Sequence, residues 1–222
     1  MSLPQTEWLQ GLKAEGRAVY AVFGAGGHGK VVADAIEQQH PGCQVVVFDD
    51  ADDASSAWPL MGGEQQLLAC RSHLDGVVVA IGSNPVRLAM QRRLQQAAVA
   101  MLTVVHPRAC VSQYARLGAG TVVLAHAVIN ADARVGDAVI VNSAAVVEHD
   151  CRVADAVHLS PGAVMSGGSQ VGQCSWLGAQ SCLRQLITVA DGVTVGAGAV
   201  VVADVAANDC VVGVPAKPLK SE

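Results

Sequence analysis

Aromatic side chains are nearly missing from this chain: Phe, Tyr and Trp supply 3% of its residues, while hydrophobic residues supply 51%. That excludes a thick core filled with rings, so the interior must be packed with Val, Ala and Leu, as a narrow structure requires. Charge is also thin, at 15% with a net −5. No cluster of Lys and Arg stands out, which counts against nucleic acid as a partner. No apolar run reaches the roughly 18 residues that cross a bilayer, and Met1 to Gly16 lacks the apolar stretch of a signal peptide. A cytoplasmic enzyme without a membrane span is expected. The seven cysteines are odd in number, scattered and without a Cys-x-x-Cys, so they read as small core hydrophobes and not as a disulfide framework or a metal site.

What the chain has instead is a period. From Val105 an aliphatic residue returns at every sixth position (Val105, Val111, Leu117, Val123, Ile129, Val135, Val141, Val147 and on to Val201) through seventeen hexapeptides in one register. Four places after each leader the side chain is small or β-branched, as at Ala127, Ala145, Cys151, Ala163 and Ser175. A helix cannot produce a strict six, but a coil of short flat strands can. The expected structure is a solenoid of parallel rungs in which each leader points inward and stacks on the leader three hexapeptides later, about 4.8 Å along the axis. The small fifth place lies where the chain turns a corner. A period of this form resembles that of the left-handed parallel β-helix acyltransferases, and that resemblance implies the hand of the coil.

The residues before the repeat read differently. Trp8, Leu9 and Leu12 have helical spacing, and Val19 to Phe23 reads as a buried strand followed by a glycine loop and a helix to about Gln39. Gln44 to Phe48 is a second strand ending in Asp49-Asp50, and Val77 to Ile81 a third, closed by Gly82-Ser83-Asn84. Pro85 then suits the first turn of a helix that carries Val86, Met90, Leu94 and Ala97 on one face, before a last strand from Ala100 to Val105. Alternating strands and helices predict a small parallel sheet of the doubly wound type. Two domains are expected: a Rossmann-like domain over 1–104, and a β-helix with a C-terminal cap over 105–222, for which the resemblance implies an acyltransferase.

Gly24, Gly26 and Gly29 satisfy the dinucleotide pattern, with Asp49 about 20 residues on. A full dinucleotide domain needs two mononucleotide halves, however, and the hexapeptides begin after about four strands. The loop licenses less: backbone N–H groups at a helix N-terminus that approach a diphosphate, and a carboxylate that accepts from a ribose or a base. A nucleotide sugar meets both demands, and a tight βα turn without ligand is the plain alternative.

Of the seven histidines, His149 stands out in Val147-Glu148-His149-Asp150-Cys151. It occupies an outward position, and a carboxylate beside an imidazole fixes its tautomer and raises its basicity, as a general base requires. His158 follows half a coil further round. Spacing alone leaves open that both are surface residues. The landmarks Gly24-Ala25-Gly26-Gly27-His28-Gly29, Asp49-Asp50, Ile81-Gly82-Ser83-Asn84, His106-Pro107, the segment around His149, Gly178-Ala179 and Gly213-Val214-Pro215-Ala216-Lys217 span nearly the whole chain. In their order and spacing they resemble the bacterial sugar acyltransferases, which include UDP-4-amino-sugar N-acetyltransferases of bacillosamine and perosamine synthesis and sialate O-acetyltransferases.

The resemblance implies His149 as catalytic base, supported by Asp150 where some members carry Glu, and His158 as a contact to acetyl-CoA. It places Gly26, Gly27, His28, Asp49, Asp50 and Gly82 around the nucleotide of the sugar substrate, and Ala179 and Ala197 beside the pantetheine arm. The amide of Gly167 is a candidate oxyanion donor. Direct attack by an amino group on the thioester is expected, because no Ser or Cys has a base of its own; Cys151 is the one candidate and should face inward. A homotrimer with the acetyl-CoA site between neighbours is implied. The rivals are O-acetyl transfer, a non-catalytic trimeric nucleotide-binding scaffold, and a zinc site, for which no His-x4-His pair is present.

Overall fold

A computed structural model describes residues 3–51 and 57–219. It divides into two compact units, Met1–Pro107 and Arg108–Glu222.

The first unit runs α1 (Leu3–Ala14), β1 (Val19–Phe23), α2 (Gly27–Gln39), β2 (Gln44–Phe48), α3 (Glu64–Cys70), β3 (Gly76–Val79) and α4 (Asn84–Gln96). The strands are parallel in the order β2-β1-β3. Apart from half-buried Tyr20 and Gln44 all three are apolar runs buried on both faces, as a sheet covered by helices requires. Leu9 and Leu12 of α1 join Phe48, Leu67 and Leu94 in one core. The expected fourth strand is much reduced: the Val77 N–H donates to Ala100 O at 2.9 Å and Val77 O accepts from the Leu102 N–H at 2.8 Å, one bridge forms to Met101, and only Val104–Val105 is extended beyond it. Helix α3, which the sequence reading did not mark, is only seven residues long. No helix among the described residues is long and apolar enough to cross a membrane.

The second unit is a left-handed parallel β-helix. Each rung is a two-residue strand whose second member is the leader, and rungs as far as Val200 pair in parallel eighteen residues apart, as in Val146↔Val164 and Val164↔Cys182, while the last coil is two residues shorter, with Thr194↔Cys210. Three flat faces result. A valine face carries Val128, Val146, Val164, Cys182 and Val200 outward. An arginine face carries Arg116, Arg134, Arg152, Gln170 and Thr188 outward. A tryptophan face carries Ile140, His158, Trp176 and Thr194. The leaders from Val123 to Val201 and the fifth-place residues from Ala127 to Ala199 are all buried, so two inward side chains per hexapeptide fill the prism.

The corners explain the rest of the period. Every sixth residue from Gly120 to Gly198 has a positive φ, including His126, Asp132, Asp150 and Leu186. For a residue with a Cβ this left-handed conformation costs about 1–2 kcal/mol. It is repaid by a ladder of amide bonds from coil to coil, such as Asp150 N–H to Ala131 O at 3.1 Å and Gly168 N–H to His149 O at 2.9 Å. The coil ends in an antiparallel pair of Cys210–Val212 with Lys217–Pro218, which closes its last edge.

Candidate active site

In the first unit the loop after β1 is built for close approach. Gly24 has φ +115, and a Cβ there would lie 2.9 Å from Ala80 O, so only glycine lets the β1 and β3 loops touch. Gly26, Gly27 and Gly82 border open space, and a Cβ on any of them would meet nothing within 4 Å. The first turn of α2 therefore presents its amides without obstruction. Asp49 supports this loop from beneath: Oδ2 accepts the Ala25 amide at 2.7 Å and Oδ1 the Ala51 amide at 2.9 Å. Asp50 caps α3 by accepting the Glu64 amide at 3.0 Å, and both aspartates line a cavity of about 370 Å³ with Gly62 and Gln66. These two carboxylates, expected as substrate contacts, thus hold backbone.

His28 opens α2 and is half-buried beside Arg87 of α4. Burial and then the neighbouring guanidinium push its pKa down from 6.5 to about 4, so the ring is neutral near pH 7. Arg87 is itself 1% exposed. It donates to the carbonyl of Ile81 at 2.9 Å and to Asn84 Oδ1 at 2.8 Å, which fixes the loop around Gly82. Sequence reasoning missed it, although an Arg in the apolar half of a helix is a signal.

In the second unit His149 stands at the corner between the valine and arginine faces. Its Nδ1 lies 2.8 Å from Asp150 Oδ2. The left-handed turn at Asp150, φ 61, brings the short side chain back to the ring. The hydrogen bond to Asp150 is the chief cause that raises the His149 pKa above its usual 6.5. A carboxylate on Nδ1 leaves the Nε2 lone pair as the basic site, and the two side chains are 65% and 66% exposed. The charge of Glu148 adds a smaller push in the same direction, while its Oε2 accepts from Asn130 Nδ2 at 2.9 Å.

Gly167 stands one coil above His149. A Cβ on Gly167 would come within 2.6 Å of His149 Nε2, so the absent side chain is the space that the ring occupies. Among the described residues no protein acceptor receives the Gly167 amide. At the corner between the arginine and tryptophan faces the equivalent amides are taken: Ala119 by Asp137 at 2.8 Å, Asp137 by Asp155 at 3.0 Å and Gln173 by Asp191 at 2.7 Å. What sets the open Gly167 N–H apart is the imidazole beside it, since the equivalent amides of Ala179 and Ala197 likewise have no protein acceptor among the described residues. Cys151 is fully buried, and burial raises its thiol pKa.

His158 points outward on the tryptophan face. Asn142 Oδ1 accepts the Ser143 amide at 2.8 Å, which turns the Asn142 NH2 toward His158 Nε2 at 3.2 Å. Nε2 is then an acceptor and the proton lies on Nδ1. Ala179 and Ala197 are exposed and stacked at the corner between the tryptophan and valine faces, with Gly198 N–H bonded to Ala179 O at 2.8 Å. Within one chain the coil joins His149, Asp150 and Gly167 at one corner and leaves His158, Ala179 and Ala197 around the next face. No group of three His, Cys, Asp or Glu able to hold a metal occurs among the described residues.

Comparison with known proteins bears on this arrangement. The PglD N-terminal domain matches residues 20–94. A UDP-N-acetylbacillosamine N-acetyltransferase from Bacillus subtilis (strain 168) is 34% identical over 105 residues, 45% of this chain, and the match spans about half of that protein, 48%. The acetyltransferase domain of PglB from Neisseria gonorrhoeae FA1090 is 40% identical with a TM-score of 0.87, over 91% of this chain and 100% of the other. The same domain in complex with acetyl coenzyme A gives a TM-score of 0.88 at 40% identity, with the same coverage of 91% and 100%. PerB from Caulobacter crescentus, in complex with CoA and GDP-perosamine, is 36% identical with a TM-score of 0.87, over 91% and 98% of the two chains.

Proposed function

The chain belongs to the bacterial sugar N-acetyltransferase family, and we propose that it transfers the acetyl group of acetyl-CoA to the 4-amino group of a UDP-linked amino sugar in the cytoplasm. The observation that carries this reading is the imidazole of His149, backed by Asp150 at 2.8 Å and overlooked by the open amide of Gly167.

The chemistry needs each part. A sugar ammonium is not a nucleophile, so one proton leaves to solvent first, and the neutral amine gives a second to His149 Nε2 as its nitrogen attacks the thioester carbon. The Gly167 N–H receives the oxyanion that forms. The intermediate collapses with breakage of the C–S bond, and the proton on His149 returns to the departing thiolate. Asp150 holds the ring in the Nε2-basic tautomer throughout. Cys151 is buried and its thiol is held protonated, which favours direct transfer over a covalent relay.

The glycine loop, with Gly26, Gly27 and Gly82 bordering open space, half-buried His28 beside them and Asp49 bracing it, would take the nucleotide, with Asp50 next to Asp49 at the start of α3. Ala179 and Ala197 would flank the pantetheine arm, with His158 donating from Nδ1. The outward side chains of the valine face, Val128, Val146, Val164, Cys182 and Val200, are apolar and half-buried in the lone chain. A stripe of this kind is what a second copy covers, and three copies around one axis would bring the His149 corner of each against the Ala179 corner of the next. The test is incubation with acetyl-CoA and a panel of UDP- and GDP-linked amino sugars while free thiol is followed. His149→Ala should keep its fold and lose turnover by about 100-fold or more; unchanged turnover would remove His149 from the mechanism.

A further inference from the structure

The Trp176 indole on the coil is not absorbed by this mechanism. Trp176 is 46% exposed in a chain where aromatics are 3% of residues. A large ring left in water on a flat face wants a reason, because burying an aromatic side chain is worth a few kcal/mol. It is also not loose. Its Nε1 donates to Ser160 Oγ at 2.6 Å, and Ser160 is 4% exposed, so the indole is tied to the wall by a buried acceptor. Its ring lies over that of His158, with centroids 6.4 Å apart and planes inclined by 24°. His158 is in turn fixed by Asn142. The two rings are register partners on adjacent coils and form a rigid, flat and partly apolar step.

We propose that Trp176 is a cofactor-contacting residue: with His158 it forms the wall along which the pantetheine arm of acetyl-CoA lies. The inference rests on the reading of the coil as an acetyl-CoA enzyme. Position along the axis selects the arm and not the adenine. Trp176 stands one and a half coils beyond His149, about 7 Å along the axis at 4.8 Å per coil. An extended arm whose thioester is at His149 is still passing at that height, well short of its diphosphate. In sequence Trp176 comes three residues before Ala179, whose exposed corner adjoins the same face. An indole with its N–H already bonded offers only its π-face and edge, which suits the methyl groups and amide planes of the arm.

Calorimetric titration of acetyl-CoA, and of S-acetylpantetheine, which lacks the adenosine diphosphate end, into wild type, Trp176→Phe and Trp176→Ala tests this. The expected result is affinity weakened about tenfold in Trp176→Ala and only a few-fold in Trp176→Phe, by the same factor for both ligands. A companion protein carrying Trp8→Phe and Trp58→Phe keeps Trp176 as its one indole, and its fluorescence should change on titration with either ligand. Equal binding by wild type and Trp176→Ala overturns the inference while leaving the acetyl-CoA reading intact. A loss seen with acetyl-CoA but not with S-acetylpantetheine also overturns it, since the ring would then read the nucleotide end. Wild type that binds neither ligand overturns both readings together.

Discussion

At the scale of single residues the site depends on one neighbour and one missing neighbour. Asp150 is adjacent in sequence, yet it reaches the ring only because its backbone is left-handed. The raised pKa of His149 has a defined sign in kinetics. A base must be unprotonated, so the rate should rise with pH through a midpoint above 6.5. Asp150→Asn should move that midpoint down toward 6.5 and lower the plateau by about 10- to 100-fold, read from a pH–rate profile. The pair's contribution to stability runs the other way: it is complete below the unfolded pKa and fades as pH rises through the folded one. Gly167 is the missing neighbour. Gly167→Ala adds one methyl where His149 Nε2 lies, so the fold should persist while the ring is displaced and turnover falls by about 100-fold. Full activity in Gly167→Ala would mean that the ring works from another position.

At the scale of elements the three faces divide the labour, and their outward rows can be read against one another. Arg116, Arg134 and Arg152 are direct partners on the arginine face, about 4.8 Å apart and exposed. The nearby carboxylates do not answer them, since Asp137, Asp155 and Asp191 are turned to backbone amides. Like charges in register oppose the fold, so Arg134→Gln should stabilise the coil by about 0.5 kcal/mol, a rise of roughly 1–2 °C in Tm. The gain should vanish in 1 M salt, where screening acts over about 3 Å. The sequence announces such rows because the period is strict: leaders, fifth places and the outward place of His149 all follow from counting by six. Other features need the third dimension. That Gly167 overhangs His149 requires counting by eighteen, and so does the pairing of Trp176 with His158. Nothing in the sequence says that Asp49 would spend both oxygens on Ala25 and Ala51. That outcome comes from loop amides that need acceptors. The expected strand at Ala100–Val105 shrank for the opposite reason, since β3 bonds to it only through Val77 and Val105 donates instead to Gln39 Oε1 at 2.9 Å.

At the scale of the whole molecule the valine face carries the main expectation. Val164 projects outward at the middle of that stripe. Val164→Asp should leave the coil folded by circular dichroism, because its inward neighbour Met165 is untouched. It should convert a trimer into monomers by light scattering and abolish turnover, if the site is shared between copies. A wild-type monomer at micromolar concentration would contradict this. The eighteen-residue stacking also constrains how such a chain can change in length. One residue inserted into a rung turns every later aliphatic outward and every later corner away from its ladder, so the fault runs to the end of the prism. A whole added coil restores every pairing beyond it, whereas a loop added at a corner leaves the rungs where they were. Lineages of this enzyme should therefore differ in length by full circuits of the prism or by excursions at its edges, and single-residue steps should be confined to the ends.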